Sequence, residues 1–271
     1  MNIAFIGGGN MATALIAGLV KQLGGAARIH VVDPNQEALA RLAASYGVTT
    51  AAVIDGAVAG CEVIVLAVKP QQMREVAATL APRLGGAPLL LSIAAGIRSA
   101  DLARWLGYGT IVRAMPNTPA LIGMGITGMV ATAAVSPAQR AAADQVMAAV
   151  GQTVWLDDEA LIDPVTAVSG SGPAYVFYFL EAMEAAAAEM GLSSAQGKAL
   201  ALATFMGAAQ LAAQSDEPLD VLRQRVTSKG GTTHAAIISM EASGVKEAIM
   251  AAMKAAAARG RELGDELGRD G

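Results

Sequence analysis

Short apolar runs alternate with segments of helical periodicity through the first half of the chain. The apolar runs are rich in Val, Ile and Leu, a composition typical of strands buried on both faces. They occupy residues 2–6, 28–32, 63–67, 88–93 and 110–114. Helical patterns lie between them, at residues 10–22, 35–46, 71–80 and 99–106. This alternation predicts an α/β fold with a doubly wound parallel sheet and right-handed crossovers.

The pattern changes after residue 157. Before it, a β-like run at 123–131, a helix opened by Ser136-Pro137 and a short strand at 152–156 complete the predicted sheet. After it the strand signal disappears, and helices rich in Ala, Leu and Met are predicted at 158–168, 173–190, 193–214, 219–226, 233–243 and 246–267. The sequence therefore predicts two domains, an α/β domain at residues 1–156 and an all-α domain at residues 157–271.

Two segments of the predicted all-α domain are apolar on more than one face, at residues 182–190 and 200–213. Such helices are buried on both sides in stable proteins. A domain of this size struggles to bury them alone, so we expect an interleaved helical interface in a homo-oligomer. A compact monomeric bundle is the alternative.

Composition narrows the class of partner. The net charge is −4 without a basic block, so we expect a small-molecule partner and no nucleic acid. No uninterrupted apolar stretch reaches about 18 residues, so no membrane span is expected. The first six residues lack the basic region of an export signal. The single cysteine, Cys61, fits a reducing cytoplasm, and with only two histidines in the chain no metal site is expected.

The first strand runs directly into a glycine-rich turn that opens a helix. Gly7 permits the tight turn, Gly9 lets a pyrophosphate approach the backbone, and the small Ala12 allows close packing of helix on strand. Backbone N–H groups at that helix N-terminus face the anion. We therefore predict that Ile6, Gly7, Gly8, Gly9, Asn10 and Met11 bind a dinucleotide, which makes residues 1–156 a Rossmann-like dinucleotide-binding domain. An ordinary glycine turn is the alternative.

Asp33 ends the second predicted strand about 20 residues after the glycines, where an acidic side chain hydrogen-bonds the adenosine ribose. The string Asp33-Pro34-Asn35 is also compatible with a simple helix cap. No arginine follows immediately, and arginine is the usual partner of a 2′-phosphate. The local chemistry therefore favours NADH slightly over NADPH.

Three further segments leave the carboxyl ends of predicted strands, where open α/β sheets bind ligands. Ala67-Val68-Lys69-Pro70 and Ala94-Ala95-Gly96 offer small residues against which a cofactor can lie. A lone lysine such as Lys69 is more often solvated or near a phosphate than catalytic. The rigid loop at residues 113–119 places Asn117 where it could hold a nicotinamide ring, although a plain proline-stiffened connection remains an alternative.

Two glycine-serine segments lie in the predicted helical domain. Residues 169–173, Ser-Gly-Ser-Gly-Pro, predict a serine cap and an early proline at the start of an apolar helix. Residues 227–233, Thr-Ser-Lys-Gly-Gly-Thr-Thr, offer more hydrogen-bonding groups than a cap uses and predict a carboxylate or phosphate site. A helix cap with a glycine linker is the alternative for the second segment.

These motifs together resemble the pyrroline-5-carboxylate reductase family over nearly the whole chain. The motifs are residues 5–11, 67–70, 113–119, 168–175 and 228–233. The resemblance implies the reduction of L-1-pyrroline-5-carboxylate to L-proline with NADPH or NADH, the last step of proline biosynthesis. It also implies a homodimer built from interlocked C-terminal helices, often assembled further into a decamer.

The resemblance also implies residue roles. The loop from Ser228 would bind the substrate carboxylate through Gly230, Gly231, Thr232 and Thr233, and residues 169–173 would lie beside the nicotinamide and the imine. Thr233 is the first candidate for a catalytic hydroxyl and Ser171 the second. Lys229 stands where the family usually has proline, which adds a positive charge and removes a rigid residue. Asp33 departs from the Ser, Thr or Arg of many NADPH-preferring members.

Two rival functions use the same architecture. One rival is a 2-hydroxyacid dehydrogenase of the 6-phosphogluconate dehydrogenase-like group. Members of that group resemble one another in carrying a lysine a few residues after a glycine-rich turn in the helical half. The corresponding residues here, 173–177, contain no lysine. A dinucleotide-binding regulator without catalysis would have no need of the anion site at residues 230–233. Both comparisons favour imine reduction.

Overall fold

A computed structural model describes residues 1–25 and 28–269. Within these residues eight strands form one sheet of order β3-β2-β1-β4-β5-β6-β7-β8. The strands are β1 (Ile3–Ile6), β2 (Ile29–Val32), β3 (Thr49–Ala51), β4 (Val63–Leu66), β5 (Leu89–Ser92), β6 (Ile111–Met115), β7 (Gly125–Ala131) and β8 (Gly151–Trp155). Neighbouring strands are parallel except β6 and β7, which are antiparallel. The predicted doubly wound, mostly parallel sheet is confirmed.

Helices connect the strands and make up most of the described chain after β8. They are α1 (Asn10–Leu23), α2 (Gln36–Tyr46), α3 (Gly56–Ala59), α4 (Met73–Leu80), α5 (Ser99–Leu106), α6 (Pro137–Ala148), α7 (Ile162–Val165), α8 (Gly172–Glu189), α9 (Ser194–Ala213), α10 (Leu219–Arg225), α11 (Thr232–Ala242) and α12 (Val245–Leu267). The helix predicted at 158–168 is instead a 3₁₀ turn at Glu159–Leu161, then α7, then a π-helical turn at Thr166–Gly170.

The sheet is buried on both faces because alternate strand residues enter two separate cores. Phe5 and Val65 belong to the core beneath α1, α2 and α6. Ala4 and Ile64 belong to the core beneath α3, α4 and α5. This double burial explains why the strands are almost continuously apolar in the sequence.

The chain divides into two compact units. One contains Met1–Ser171 together with the chain from Ala255, and the other contains Gly172–Lys254. The sheet unit thus extends past residue 156, where the sequence places the domain boundary. Val165 packs against Gly128 of β7, and Arg98 pairs with Asp265 of α12 at 2.6 Å, so both segments pack within the sheet unit.

A charged cluster fixes the start of α5 to β6 within the sheet unit. Glu159 Oε1 accepts hydrogen bonds from Ser99 N at 2.8 Å and Ser99 Oγ at 3.1 Å. The same oxygen lies 2.9 Å from Arg113 Nη1, and the Arg113 side chain is only 6% exposed. The carboxylate therefore neutralises a buried cation and holds a helix N-terminus at once.

The helical unit exposes much of its apolar surface. Within α8 only Ala187 is buried, and within α9 only Gly197 and Ala201 are buried. Large apolar side chains are exposed on this unit, among them Phe177, Tyr178, Met183, Leu200, Met206, Leu211, Ile238 and Met240. Exposed apolar surface on this scale marks an interaction site. Across residues 1–25 and 28–269, no helix has both the length and the apolar character that a membrane span requires.

Candidate functional site

A cleft of about 370 Å³ opens at the carboxyl ends of β1, β2 and β4. β1 lies where the strand order reverses, with β2 and β3 on one side and β4 on the other, and open sheets bind ligands at that point. Seven predicted cofactor residues line this cleft, namely Ile6, Gly7, Gly9, Asp33, Ala67, Val68 and Lys69.

The cleft also has walls that the sequence analysis missed. One wall is the loop after β3, and the other is the face of α4 and the turn before it. The additional lining residues are Val32, Pro34, Ala52, Val53, Ile54, Gln72, Glu75, Val76 and Thr79. Positions 72, 75, 76 and 79 share one side of α4 and the turn before it, but they are mostly polar, and the apolar periodicity of α4 marks only its core face.

The two outer glycines of the turn meet different constraints. Gly7 has φ +105°, and a Cβ there would lie 2.6 Å from the Ala67 carbonyl oxygen, so the fold itself requires glycine. Gly9 has φ −69°, which any residue adopts, and a Cβ there would meet nothing within 4 Å. The free space at Gly9 therefore leaves room for a ligand at the start of α1. Ala12 is 1% exposed, in agreement with its predicted packing role.

The N-terminus of α1 fits an anion. Gly9 is the N-cap residue of α1, and among the described residues no side chain caps the amides of its first turn. That turn also contains no acidic residue. The first N–H groups of a helix have no partner within the helix and attract negative charge. The residues present thus fit the pyrophosphate of a dinucleotide.

Asp33 braces the glycine turn from the end of β2. Its Oδ2 accepts a hydrogen bond from Gly8 N at 2.7 Å, and its Oδ1 accepts one from Asn35 N at 2.8 Å. The cap of α2 is Asn35, whose Oδ1 accepts from Glu37 N and Ala38 N, so Asp33 is not the helix cap. Its carboxylate is half-buried on the cleft wall.

Other predicted cofactor residues lie outside the lining of this cleft. They are Gly8, Asn10, Met11, Pro70, Ala94, Ala95, Gly96 and Asn117. Gly96 instead contacts α12, because a Cβ there would lie 3.1 Å from Leu267 Cδ1. Asn117 is buried, and both polar ends of its side chain are bonded within the protein. The cofactor roles of these residues stay hypotheses.

The serine cap predicted within residues 169–173 is not provided by Ser169. Ser169 belongs to the π-helical turn, and its Oγ donates to Val165 O at 3.0 Å instead of accepting from a following amide. The turn leads into α8 with Ser171 between them, and Ser171 N donates to Thr166 O at 2.8 Å. Pro173 is the second residue of α8, so the early proline was predicted correctly.

The second glycine-serine segment forms a tight loop before α11. Gly231 N donates to Ser228 O at 3.0 Å, and Gly230 N lies 3.4 Å from His234 Nδ1. Both glycine amides thus have partners, Gly231 N in the loop and Gly230 N in the first turn of α11. Thr232 and Thr233 are exposed at the start of α11, which has no side-chain cap in the part of the chain that the structure describes. The amides of its first turn are therefore the open anion donors.

Cys61 offers no nucleophile. Burial raises the pKa of its thiol, and the nearby carboxylates of Asp55 and Glu62 raise it further. The thiol therefore stays protonated at neutral pH. No group of three or more metal-ligating His, Cys, Asp or Glu residues occurs within residues 1–25 and 28–269.

Comparison with known proteins shows the same organisation. The family model described as pyrroline-5-carboxylate reductase dimerisation matches residues 159–263. The model described as NADP oxidoreductase, coenzyme F420-dependent, matches residues 2–96. A pyrroline-5-carboxylate reductase of Pseudomonas aeruginosa is 48% identical over 268 residues, which cover 98% of each chain. The chain belongs to the pyrroline-5-carboxylate reductase family.

Solved structures of the family agree. The pyrroline-5-carboxylate reductase of Coxiella burnetii matches with a TM-score of 0.91 and 38% identity over 97% of this chain and 98% of that one. The pyrroline carboxylate reductase of Plasmodium falciparum, solved with NADP bound, matches with a TM-score of 0.86 and 28% identity over the same shares. The resemblance seen in the sequence is confirmed, and the chain is an oxidoreductase that uses NAD(P)H.

Family membership also bears on assembly. The dimerisation model covers α8, α9, α10 and α11, the helices that leave their apolar side chains exposed. The exposed apolar side chains and the match to a dimerisation model both agree with the predicted homo-oligomer.

Proposed function

We propose that this chain reduces L-1-pyrroline-5-carboxylate to L-proline by hydride transfer from NAD(P)H, the last step of proline biosynthesis. Membership of the reductase family over nearly the full length carries the proposal. The open space at Gly9, at the uncapped start of α1, supports it because that position suits a dinucleotide. We assign residues 1–156 to dinucleotide binding and residues 157–271 to substrate binding and dimerisation.

Substrate-dependent oxidation of the reduced nicotinamide tests this function. Purified protein is expected to consume NADH or NADPH only when pyrroline-5-carboxylate is added, measured as loss of reduced-nicotinamide absorbance. If neither NADH nor NADPH is oxidised faster when pyrroline-5-carboxylate is added, the proposed function is wrong.

The cofactor residues divide by the part of the dinucleotide that they hold. The turn from Gly7 to Met11 holds the pyrophosphate, and Asp33 accepts hydrogen bonds from the adenosine ribose. We place Ala67, Val68, Lys69 and Pro70, which follow β4, alongside the cofactor. Ala94, Ala95 and Gly96 form the nicotinamide end, and Asn117 supports that end indirectly, because both ends of its side-chain amide are bonded within the protein. When bound, NAD(P)H supplies the hydride.

We propose a preference for NADH on the strength of Asp33. Its carboxylate lies on the cleft wall and would repel a 2′-phosphate. The kcat/KM for NADH is expected to exceed that for NADPH, and Asp33→Asn is expected to shift the ratio about tenfold towards NADPH, since about 1.4 kcal/mol corresponds to tenfold. An unchanged ratio in this variant would show that the carboxylate does not discriminate.

The loop before α11 is the proposed substrate site. A carboxylate placed at the start of α11 meets the first-turn amides and the exposed hydroxyls of Thr232 and Thr233. Ser228, Gly230 and Gly231 shape the loop and complete the binding surface. Lys229 is exposed in the same loop and adds positive charge that attracts the acid.

Reduction of the protonated imine needs little acid catalysis from the protein. The imine carbon of the protonated substrate is already electrophilic, and one hydride converts it into carbon 5 of proline, beside the secondary amine. The site therefore needs to hold this imine carbon against nicotinamide C4, which is a matter of orientation. Thr233 is the hydroxyl assigned to the carboxylate or the ring nitrogen, and Ser171 is the second assigned catalytic hydroxyl.

Removal of the Thr233 hydroxyl tests the substrate site. Thr233→Ala is expected to raise the KM for pyrroline-5-carboxylate roughly 10- to 100-fold, because a hydrogen bond to a charged group contributes about 1.5–3 kcal/mol. The affinity for NAD(P)H, measured by fluorescence titration, should not change. Thr233→Ser keeps the hydroxyl and is the matched control. Wild-type kinetics in the Ala variant would mean that another group binds the acid.

We further propose a homodimer formed through the C-terminal helices, because those helices expose Phe177, Met206 and Leu211. The decamer implied by the resemblance is a hypothesis about further assembly. The single cysteine, Cys61, suits a reducing compartment, so we place the enzyme in the cytoplasm.

A further inference from the structure

The Asn117 side chain joins two elements that are distant in sequence. Its residue is 9% exposed. Its Oδ1 accepts a hydrogen bond from Ile126 N of β7 at 3.0 Å, and its Nδ2 donates to Ser169 O of the π-helical turn at 3.2 Å. The amide therefore spans from the sheet to the segment that precedes α8.

The carbonyl that Asn117 binds lacks its usual helical donor. In an α-helix the carbonyl of Ser169 would accept from the amide four residues later, and that residue is Pro173, which has no N–H. A proline ring also clashes with the carbonyl four residues before it. The π-helical turn widens the backbone at this place, and Asn117 Nδ2 supplies a donor.

The same loop supports the turn at a second point. Met115 Cε would lie 2.8 Å from a Cβ at position 170, so Met115 packs directly against Gly170. Met115 ends β6 two residues before Asn117. The segment from Met115 to Asn117 thus contacts Gly170 by packing and Ser169 by hydrogen bonding.

We infer that Asn117 is a positioning residue that fixes the π-helical turn and so sets the placement of Ser171. The inference rests on the proposed function, which places residues 169–173 beside the nicotinamide and the imine. Asn117 then acts on the reaction through the backbone of the turn, since its own amide is used within the protein. π-helical turns inside helices occur frequently at functional sites.

Asn117→Asp tests this role. The variant is isosteric and keeps an acceptor for Ile126 N, but an ionised carboxylate cannot donate to Ser169 O and repels that carbonyl. We expect kcat to fall about 100-fold, since misplacement of a reacting group by about 1 Å costs that much. The KM for NADH should stay within about twofold. Lowering the pH protonates the new carboxyl, which can then donate to Ser169 O, so kcat should recover relative to wild type at the same pH.

Two further variants separate positioning from general stability. Asn117→Ser is neutral and too short to reach Ser169 O, so its loss of kcat should persist at every pH. Thr153→Val removes a 2.7 Å hydrogen bond to Asp144 between β8 and α6 and should lower the unfolding temperature without lowering kcat well below that temperature.

Hydrogen exchange gives a readout that is independent of the reaction. Amides of residues 166–171 should exchange faster in both Asn117 variants than in wild type, and at the wild-type rate in Thr153→Val. Unchanged exchange, or unchanged kcat in folded Asn117→Asp and Asn117→Ser, would overturn the inference. A wild-type protein that fails to reduce pyrroline-5-carboxylate would instead overturn the proposed function. The exchange data would still test whether Asn117 stabilises the π-helical turn.

Discussion

Replacement of Glu159 by Gln is expected to destabilise the protein by about 3–5 kcal/mol, the usual effect of leaving a buried charge without its partner. Arg113 is 6% exposed and has Glu159 at 2.9 Å. The glutamine amide keeps an oxygen for the Ser99 amide but offers no negative charge to the guanidinium. Chemical denaturation at a fixed protein concentration measures the loss.

Glu62→Gln is the matched control for this change. Glu62 also pairs with a cation and accepts a backbone hydrogen bond, from Asn2 N at 2.6 Å, but its side chain is 64% exposed. Exposed ion pairs contribute about 1 kcal/mol or less. If Glu159→Gln costs no more than Glu62→Gln, the buried cluster does not hold α5 and β6 together as described.

Gly9→Val is expected to weaken NAD(P)H binding about 100-fold while leaving the fold intact. Gly9 has a backbone conformation open to any residue, and a Cβ there meets no protein atom within 4 Å. The valine side chain would fill the space in which we place the pyrophosphate. Loss of one or two charge-assisted hydrogen bonds, each about 1.5–3 kcal/mol, gives an effect of this size.

Gly7→Ala separates the two reasons for glycine in this turn. Its φ of +105° and the 2.6 Å approach of a Cβ to Ala67 O strain the fold directly. We expect the unfolding temperature, measured by thermal denaturation, to fall more in Gly7→Ala than in Gly9→Val, whose cost is limited to a poorer N-cap for α1. If the Gly9→Val protein binds NAD(P)H like wild type, the pyrophosphate does not lie at the start of α1.

The sheet was predictable because double burial leaves a continuous apolar signature in each strand. β1 and β4 match the predicted segments to within a residue or two, as does the antiparallel β7 in position. The antiparallel direction of β7 relative to β6 was not predictable, because an apolar run looks the same in the sequence for parallel and antiparallel pairing. β3 was missed because it is a three-residue edge strand whose first residue, Thr49, is exposed.

The glycine turn was predictable because Gly7 meets a local requirement of the strand-to-helix turn and Gly9 leaves open space at the start of α1. The role of Asn117 was not, since its partners Ile126 and Ser169 are brought to it only by the folded sheet unit. Glu159 was missed for the same reason, because its partners Ser99 and Arg113 are remote in sequence. A buried polar contact of this kind leaves no periodic signal.

Transfer of deuterium from the cofactor tests the central claim most directly. The protein is incubated with pyrroline-5-carboxylate and NADH doubly deuterated at nicotinamide C4, and the product is examined by mass spectrometry and NMR. The account predicts L-proline carrying a single deuterium at carbon 5. Proline without deuterium at carbon 5, or no proline at all, would contradict hydride transfer from the nicotinamide to the imine.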